Sequence, residues 1–219
     1  MKIFLDTADV ASIKKLAEKG VIDGITTNPT SLSKETGLPT DIILQICKIL
    51  PQGSISVEIT EKSPSAVYDQ AKKIAALAEN IVVKIPCYKD YYPIIKKLVD
   101  EGIKINITLL FSVMQGLMMA KLGVWYVSPF IGRLDDCGQD GLDLIRDLRT
   151  IFDEYEFETE ILAASIRSVY NFQQTALAGA DIATVPIKVF EQALEHPLTD
   201  KGMAQFDTDW QKLGIKQFP

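Results

Sequence analysis

The stretch IVVKIP, residues 81–86, is an apolar run of strand length that contains one charged residue, Lys84. Short runs rich in Ile and Val predict strands that are buried on both faces, as in parallel sheets. A lysine in such a strand is unusual, because its ammonium group is costly to remove from water. Lys84 is therefore a candidate functional residue. The alternative is a strand-end lysine whose stem is covered while its charge reaches water.

Seven further runs of this kind occur along the chain, separated by segments with helical periodicity. The predicted strands are Ile3 to Thr7, Gly24 to Thr27, Ile55 to Ile59, Ile81 to Ile85, Ile105 to Leu109, Trp125 to Ser128, Glu160 to Ala163 and Ile182 to Val185. One predicted helix spans Ser65 to Ala78, where the preceding Pro64 suits the first turn. Eight β/α alternations favour an α/β protein with a single closed (β/α)8 TIM barrel. An open doubly wound sheet is disfavoured, because no GxGxxG, GxxxxGKS or GxxxxGKT motif occurs.

The composition limits the classes of function. With 219 residues, 47% of them hydrophobic, and no linker-like segment, one domain over residues 1–219 is expected. The net charge of -6 and the scattered basic residues argue against nucleic acid as a partner. The N-terminal apolar stretch ends at Asp6, too early for a secretory signal. The uncharged run Ile105 to Ala120 is shorter than a span of about 20 residues. A cytoplasmic protein without a membrane partner is expected.

Cysteine and histidine usage argues against metal chemistry. Cys47, Cys87 and Cys137 form no CxxC pair and are predicted to be small buried residues of a reduced protein. The only histidine, His196, precedes Pro197 and is predicted to be a cap or surface residue. A metal-dependent aldolase needs several such ligands, and a Cys–His nucleophile needs a nearby histidine. No metal or other cofactor is therefore expected.

Polar residues stand at or just after the ends of the predicted strands, where TIM barrels build their active sites. These residues are Asp6, Asn28, Glu58, Lys84, Asn106, Thr108, Ser128 and Ser165. Each has a structural alternative as a helix cap, a turn residue or the partner of an outer lysine. Together they predict one polar pocket, since inward polar groups are costly unless they pair. Burial lowers the pKa of an amine, and free amine is what Schiff-base chemistry on a carbonyl requires.

Six ordered segments of the chain resemble the transaldolase family, and in particular its short subfamily, which includes the fructose 6-phosphate aldolases. They are FLDTA (4–8), GITTNP (24–29), VVKIP (82–86), NITLLFS (106–112), VSPFIGR (127–133) and AASIR (163–167). The similarity continues to HPLTD (196–200) and the Asp209-Trp210 pair. This resemblance also implies the TIM barrel.

The resemblance implies transfer of a dihydroxyacetone unit from sedoheptulose 7-phosphate to glyceraldehyde 3-phosphate, giving erythrose 4-phosphate and fructose 6-phosphate in the pentose phosphate pathway. Lys84 would form the imine with the ketose, and Asp6 would exchange the hydroxyl proton of the aldose. Glu58 and Thr108 would hold the water that takes part in imine formation and hydrolysis. The implied substrate-binding residues are Asn28, Asn106 and Ser128 for hydroxyl groups, and Arg133, Ser165 and Arg167 for the phosphate.

Two residues bear on the choice between a transferase and an aldolase. The aldolase members of the subfamily carry tyrosine and glutamine where this chain has Phe130 and Glu58. Phenylalanine offers no hydroxyl group to activate a hydrolytic water, so transfer is favoured over cleavage of fructose 6-phosphate to dihydroxyacetone and glyceraldehyde 3-phosphate. Phe130 as an ordinary core residue is an alternative. A sugar-phosphate binding protein without turnover is a lower alternative.

An extra C-terminal helix is predicted at about residues 198–214, where Met203, Phe206, Trp210 and Leu213 follow near-helical spacing. From its pattern alone, this helix could dock on its own barrel or on a neighbour. The resemblance implies a homo-oligomer of five-membered rings that stack into decamers.

Overall fold

Eight parallel strands close a barrel in chain order in the computed structural model, which describes residues 1–214. The strands are β1 (Lys2–Asp6), β2 (Gly24–Thr26), β3 (Ser54–Glu58), β4 (Ile81–Pro86), β5 (Ile105–Leu110), β6 (Tyr126–Pro129), β7 (Glu160–Ala163) and β8 (Ile182–Val185). Every predicted strand is present with bounds within one residue of the prediction. The predicted (β/α)8 barrel is confirmed. The last part of the predicted domain, residues 215–219, lies outside the described residues.

Helices follow the strands around the outside of the barrel. They are α1 (Val10–Ala17), α2 (Pro29–Leu32), α3 (Pro39–Ile49), α4 (Pro64–Ala75), α5 (Tyr92–Asp100), α6 (Val113–Leu122), α7 (Ile131–Asp136), α8 (Gly141–Glu154), α9 (Val169–Leu177), α10 (Ile187–Ala193) and α11 (Pro197–Lys212). The predicted helix from Ser65 to Ala78 corresponds to α4, which begins at Pro64 and ends three residues early. Side-chain caps fix several helix starts; Ser112 Oγ, for example, accepts a hydrogen bond from the Gln115 backbone N–H at the start of α6.

The inner face of the barrel changes character along the strands. Near the N-terminal ends it is closed by an apolar cluster, separate from the core under the helices, of Phe4, Val82, Tyr126, Leu162 and Ile182. Successive inward residues of a strand are two apart. Two positions further along the same strands the chain therefore places Asp6, Lys84, Ser128, Ala164 and Thr184 on the inner face. The barrel thus has an apolar floor beneath a polar upper layer.

Gly24 on β2 is required by close packing in this floor. A Cβ atom at this position would lie 2.4 Å from the Ser54 carbonyl oxygen and 2.7 Å from the Phe4 ring. Since real Cβ atoms do not approach other atoms so closely, only glycine lets the Phe4 ring pack against the β2 backbone. The predicted strand could therefore not start with a residue that has a side chain.

Helix α11 differs from the helices that cover the barrel. None of its residues is buried, although Leu198, Met203 and Phe206 are apolar. His196 caps its start, with Nδ1 accepting a hydrogen bond from the Leu198 N–H at 3.1 Å, as predicted for this histidine. The extra C-terminal helix is therefore present, and in the single chain it does not pack into the core.

Two smaller observations complete the fold. Among residues 1–214, no helix is long and apolar enough to cross a membrane. Of the three cysteines, Cys47 is buried, Cys87 is partly buried and Cys137 is exposed. The prediction of a buried residue was wrong for Cys137, because this residue ends the short helix α7 and faces solvent.

Candidate active site

A cavity of about 620 Å³ opens at the C-terminal ends of the strands. Its lining includes the predicted residues Asp6, Asn28, Glu58, Lys84, Thr108, Ser128, Phe130, Arg133 and Ser165. Residues that the sequence analysis did not single out also line it, among them Thr26, Lys34, Leu109 and Thr184. The barrel therefore brings the side chains of distant sequence segments to one place, as expected for this end of the fold.

Lys84 lies at the bottom of this cavity, with only 5% of its surface exposed. Its Nζ is 3.1 Å from Glu58 Oε2 and donates a hydrogen bond of 3.3 Å to the Thr27 carbonyl oxygen. Glu58 and Lys84 are register partners on the neighbouring strands β3 and β4, so both side chains point into the barrel. The alternative of a lysine whose charge reaches bulk water is therefore wrong. The amine is held beside a carboxylate and is itself almost fully buried.

Asp6 is the second carboxylate of the cavity. Its Oδ1 accepts hydrogen bonds from Asn28 Nδ2 at 3.2 Å and from Thr26 Oγ1 at 3.4 Å. Burial raises the pKa of Asp6 above its ordinary value, and this effect exceeds the opposing influences of Lys84, Thr26, Lys34 and Asn28. The carboxyl group therefore holds a proton more readily than an exposed aspartate does, which suits a group that exchanges protons with a substrate.

Asn28 caps a helix and also reaches into the cavity. Its Oδ1 accepts the Ser31 backbone N–H at 2.8 Å and caps α2, while its Nδ2 holds Asp6. Since one side-chain amide has both an acceptor and a donor, the cap fixes its orientation toward the cavity. The structural and the functional interpretations of Asn28 are therefore compatible.

A buried network of polar side chains lies beneath the cavity, above the apolar floor. Asn106 is fully buried; its Nδ2 donates to Ser56 Oγ at 3.0 Å and its Oδ1 accepts from Ser128 Oγ at 2.6 Å. Asn106 is not part of the cavity lining and contacts it through Ser128. The predicted residue thus acts here on the orientation of its neighbour, and Ser56 is an additional member that the sequence analysis missed.

The end of β5 has an irregular backbone where it meets the cavity. Leu109 has a φ of 54°, and the register of β5 with β6 shifts between Ile107 and Leu110. A leucine rarely adopts this left-handed conformation, and such local strain concentrates at functional sites. The neighbouring Thr108 Oγ1 is buried and has no hydrogen-bond partner among the described residues. Thr108 therefore offers an unused hydroxyl group at the cavity wall.

The neighbouring wall, which follows β6, carries a cation. The Arg133 guanidinium lies over the Phe130 ring, 5.0 Å from its centroid, and Ser165 stands beside it with a φ of 63°. Arg167 is placed differently: it is half exposed, does not line the cavity and forms a two-point ion pair with Asp136. Its guanidinium lowers the pKa of Asp136 through this pair. Of the three predicted phosphate ligands, Arg133 and Ser165 line the cavity and Arg167 does not.

The residues that the sequence analysis missed carried a weak signal. Thr26, Ser56 and Thr184 are inward residues of β2, β3 and β8, and a strict period-2 analysis of each strand would have found them. Small hydroxyl residues are common in strands for other reasons, so such a signal is of low specificity. Lys34 follows the short helix α2 and could be placed only by the fold.

The cavity lies where barrel enzymes place their reacting groups. A buried lysine beside one carboxylate, with a second carboxylate across the cavity, is an arrangement suited to carbonyl compounds. The fold and the site therefore have the features of a barrel enzyme that acts on carbonyl compounds.

Comparison with known proteins gives the family. The model of the family described as Transaldolase/Fructose-6-phosphate aldolase matches residues 3–217. Among similar proteins, a "Probable transaldolase" of Dehalococcoides mccartyi is 50% identical over 97% of this chain and 99% of its own. Proteins with the same description from Lactiplantibacillus plantarum and Dinoroseobacter shibae are 50% and 48% identical, each over 99% of this chain and, respectively, 100% and 99% of their own. The chain belongs to the transaldolase/fructose-6-phosphate aldolase family, and its full-length match to these relatives places it in the short subfamily.

Proposed function

We propose that this protein is a transaldolase that moves a dihydroxyacetone unit from sedoheptulose 7-phosphate to glyceraldehyde 3-phosphate through an imine on Lys84. The products would be erythrose 4-phosphate and fructose 6-phosphate, and the reaction would serve the pentose phosphate pathway in the cytoplasm. One observation carries the proposal: the almost fully buried Lys84 Nζ lies 3.1 Å from the Glu58 carboxylate at the bottom of an open cavity.

Imine formation begins with a proton transfer. The Glu58 carboxylate is in hydrogen-bond range of Lys84 Nζ and can accept the ammonium proton, which leaves a neutral amine. The amine nitrogen then bonds to C2 of the ketose, and one nitrogen proton passes to the carbonyl oxygen to give a neutral carbinolamine. Glu58 returns its proton to this hydroxyl group, which leaves as water, and the protonated imine remains. The unused Thr108 hydroxyl at the same wall supports a role in holding that water.

Cleavage of the sugar uses the second carboxylate. Asp6 as a carboxylate accepts the proton of the C4 hydroxyl group while the bond between C3 and C4 breaks, and the electron pair moves to the imine nitrogen. The aldose leaves and an enamine of dihydroxyacetone stays on Lys84. The acceptor aldehyde then receives the Asp6 proton on its carbonyl oxygen as C3 attacks its carbon. Hydrolysis of the new imine releases the product ketose.

Transfer, rather than hydrolytic release of dihydroxyacetone, is supported by the wall near Arg133. The Phe130 ring lines the cavity and packs edge-on against Phe111 at 6.0 Å. A phenyl ring supplies no hydroxyl group to activate a water molecule, so the enamine is protonated and hydrolysed slowly. Cleavage of fructose 6-phosphate without an acceptor is accordingly the slower side reaction in this proposal.

The phosphate of the aldose portion would bind at the cationic wall. Arg133 and Ser165 line the cavity beside each other, and a guanidinium suits phosphate oxygens. Arg167 would join them only after it exchanges Asp136 for the phosphate, because its guanidinium is paired with that carboxylate in the free protein.

Assembly into a homo-oligomer is part of the proposal. No residue of helix α11 is buried, and the helix exposes Leu198, Met203 and Phe206. Exposed apolar residues on one helix are typical of a contact with another chain. We propose that α11 docks on a second copy of this chain, in five-membered rings that stack into decamers, as the family resemblance implies.

The deciding experiment measures consumption of fructose 6-phosphate with and without erythrose 4-phosphate as acceptor. Strong dependence on the acceptor is expected. Comparable turnover without the acceptor would assign the chain to the aldolases instead. Borohydride reduction in the presence of dihydroxyacetone, followed by peptide mass spectrometry, tests the covalent step. Label on the peptide that contains Lys84 is expected, whereas a protein that only binds sugar phosphates would take up none.

A further inference from the structure

We infer that Thr184 is a positioning residue that orients the Thr26 hydroxyl group toward Asp6. The inference rests on the proposed function, since it concerns the carboxylate that would exchange the substrate proton. Neither threonine belongs to the residues that the family resemblance assigned, and Thr184 stands on β8, whose inner face the sequence analysis left without a role.

The two threonines flank β1 inside the barrel. In the register of the sheet, Thr26 pairs with Asp6 on one side of β1, and Thr184 pairs with Phe4 on the other side. Their hydroxyl oxygens are 2.7 Å apart, and both residues are almost completely buried. Thr26 Oγ1 is also 3.4 Å from Asp6 Oδ1. The three side chains are therefore linked by consecutive hydrogen bonds across the inner face of β1.

The number of hydroxyl protons fixes the direction of the hydrogen bonds between Thr184, Thr26 and Asp6. A threonine hydroxyl group has one proton to donate, and an ionised aspartate can only accept. If Thr26 donated to Thr184, it would have no proton left for Asp6. When Thr184 donates to Thr26, the Thr26 proton is free to stabilise the Asp6 carboxylate. The Thr26 to Asp6 distance is long in the free protein, and such contacts tighten when substrate binds. Thr184 thus holds the Thr26 oxygen in place and, by donating to it, strengthens Thr26 as the donor of the second hydrogen bond to Asp6 Oδ1, in addition to the one from Asn28.

The charged groups around Asp6 are few. Lys84 faces it from β4, and Lys34 lies on the same cavity after α2. Glu58 on β3 is paired with Lys84, and Arg133 on α7 lines the far wall. Burial raises the pKa of Asp6, and the Thr26 hydroxyl group is one of the influences that oppose this rise. Loss of an oriented Thr26 proton would therefore raise that pKa further.

The test compares full-length Thr184→Val with Thr184→Ser. Valine keeps the shape of threonine and removes its hydroxyl group, and serine keeps the hydroxyl group. For Thr184→Val we expect the acid limb of the kcat/KM profile for transfer to move to higher pH by up to about 0.5 unit, a fraction of the value of one hydrogen bond, because Thr26 keeps its proton but loses the donor that orients it. In the same variant, kcat should fall several-fold with little change in KM. Thr184→Ser, which keeps the hydroxyl group, should show the wild-type profile. The matched control is Thr175→Val, which alters a buried threonine on α9 outside the cavity and should leave the limb in place.

A second measurement separates this inference from the proposed function. Difference infrared titration against Asp6→Asn follows the Asp6 carboxyl group itself without substrate, and Thr184→Val should raise its pKa even if the chain proves to be an aldolase or a binder. If Thr184→Val does not fold, as judged by circular dichroism, Thr184→Ala serves in its place. An unchanged or lowered Asp6 pKa in the valine or alanine variant, or the same rise in the serine variant, would overturn the inference. Absence of borohydride capture in the wild type would overturn the proposed function alone.

Discussion

Glu58 and Lys84 are register partners across β3 and β4, and Oε2 of the carboxylate lies 3.1 Å from Nζ of the amine. Each charge is nearly removed from water, with 14% and 6% of the respective side chains exposed. The partners therefore depend on each other, because removing one leaves the other charge partly buried and uncompensated. The same contact provides the proton acceptor that a nucleophilic amine needs.

Replacement of the amine separates its chemistry from its structural role. For Lys84→Met we expect complete loss of borohydride capture and of transfer, since the new side chain has similar size but no nitrogen. The free energy of unfolding should fall by roughly 1–3 kcal/mol because Glu58 loses its partner. Urea unfolding and the capture assay measure the two effects. In the control Lys104→Met, at the opposite end of the barrel over the Trp125 ring, capture should persist. Full activity in Lys84→Met would require another nucleophile.

Asp6 should make stability depend on pH in a known direction. Its pKa is higher in the folded protein than in the unfolded chain, because burial disfavours the carboxylate. Its contribution to stability is then greatest below the unfolded pKa and declines as the pH rises through the folded pKa. Asp6→Asn should therefore increase the free energy of unfolding more at pH 7 than at pH 4, while transfer is lost. Urea titrations at both pH values test this. A larger increase in the free energy of unfolding at pH 4 than at pH 7 would contradict a raised pKa of Asp6 in the folded protein.

The two predicted phosphate-binding arginines should differ in effect. Arg133 lines the cavity, whereas Arg167 is paired with Asp136 outside it. We expect Arg133→Ala to lower kcat/KM for the phosphorylated acceptor about 10–100-fold. The decrease for Arg167→Ala should be smaller. Unphosphorylated glyceraldehyde is the control acceptor, and neither variant should affect it strongly. Equal losses with both acceptors would place Arg133 away from the phosphate.

Gly24 should not tolerate even one added carbon. The Cβ of Gly24→Ala would meet the Ser54 carbonyl oxygen and the Phe4 ring, so we expect a loss of stability of about 3 kcal/mol or more. Gly20→Ala is the matched control: it has a φ of 74° and open space around its Cβ position. There only backbone strain acts, and a loss of about 1–2 kcal/mol is expected. Urea unfolding of both variants measures the two losses. Similar losses would show that the apolar floor rearranges to accommodate the added methyl group.

Helix α11 should govern the size of the assembly. In the double variant Met203→Glu and Phe206→Glu, the molar mass measured by light scattering should fall well below that of the wild type. Charge on the apolar surface of α11 would oppose burial against a second copy. Tyr155→Glu, which changes an exposed aromatic residue next to α8, is the control and should leave the mass unchanged. A wild type that is monomeric in solution would contradict the proposed assembly.

Local sequence was sufficient for the strands and for most of the cavity. Apolar runs bounded by turn residues predicted every strand within one residue, because strands buried on both faces need continuous apolar stretches. Residues at the ends of these runs had to meet once the barrel closed. Asp6, Glu58 and Lys84 could therefore be assigned to one pocket before any distance was known.

Tertiary structure decided everything that depends on which groups lie next to each other across the barrel. From the sequence, Arg133 and Arg167 had the same predicted role in phosphate binding. In the folded protein, α7 directs Arg133 into the cavity, and its last residue, Asp136, pairs with Arg167. The Thr26–Thr184 contact likewise joins strands from opposite ends of the chain. Such contacts leave no local pattern, since they are set by strand register and closure. The sequence by itself determined the elements and singled out Lys84 as the candidate nucleophile; the closed barrel decided their partners.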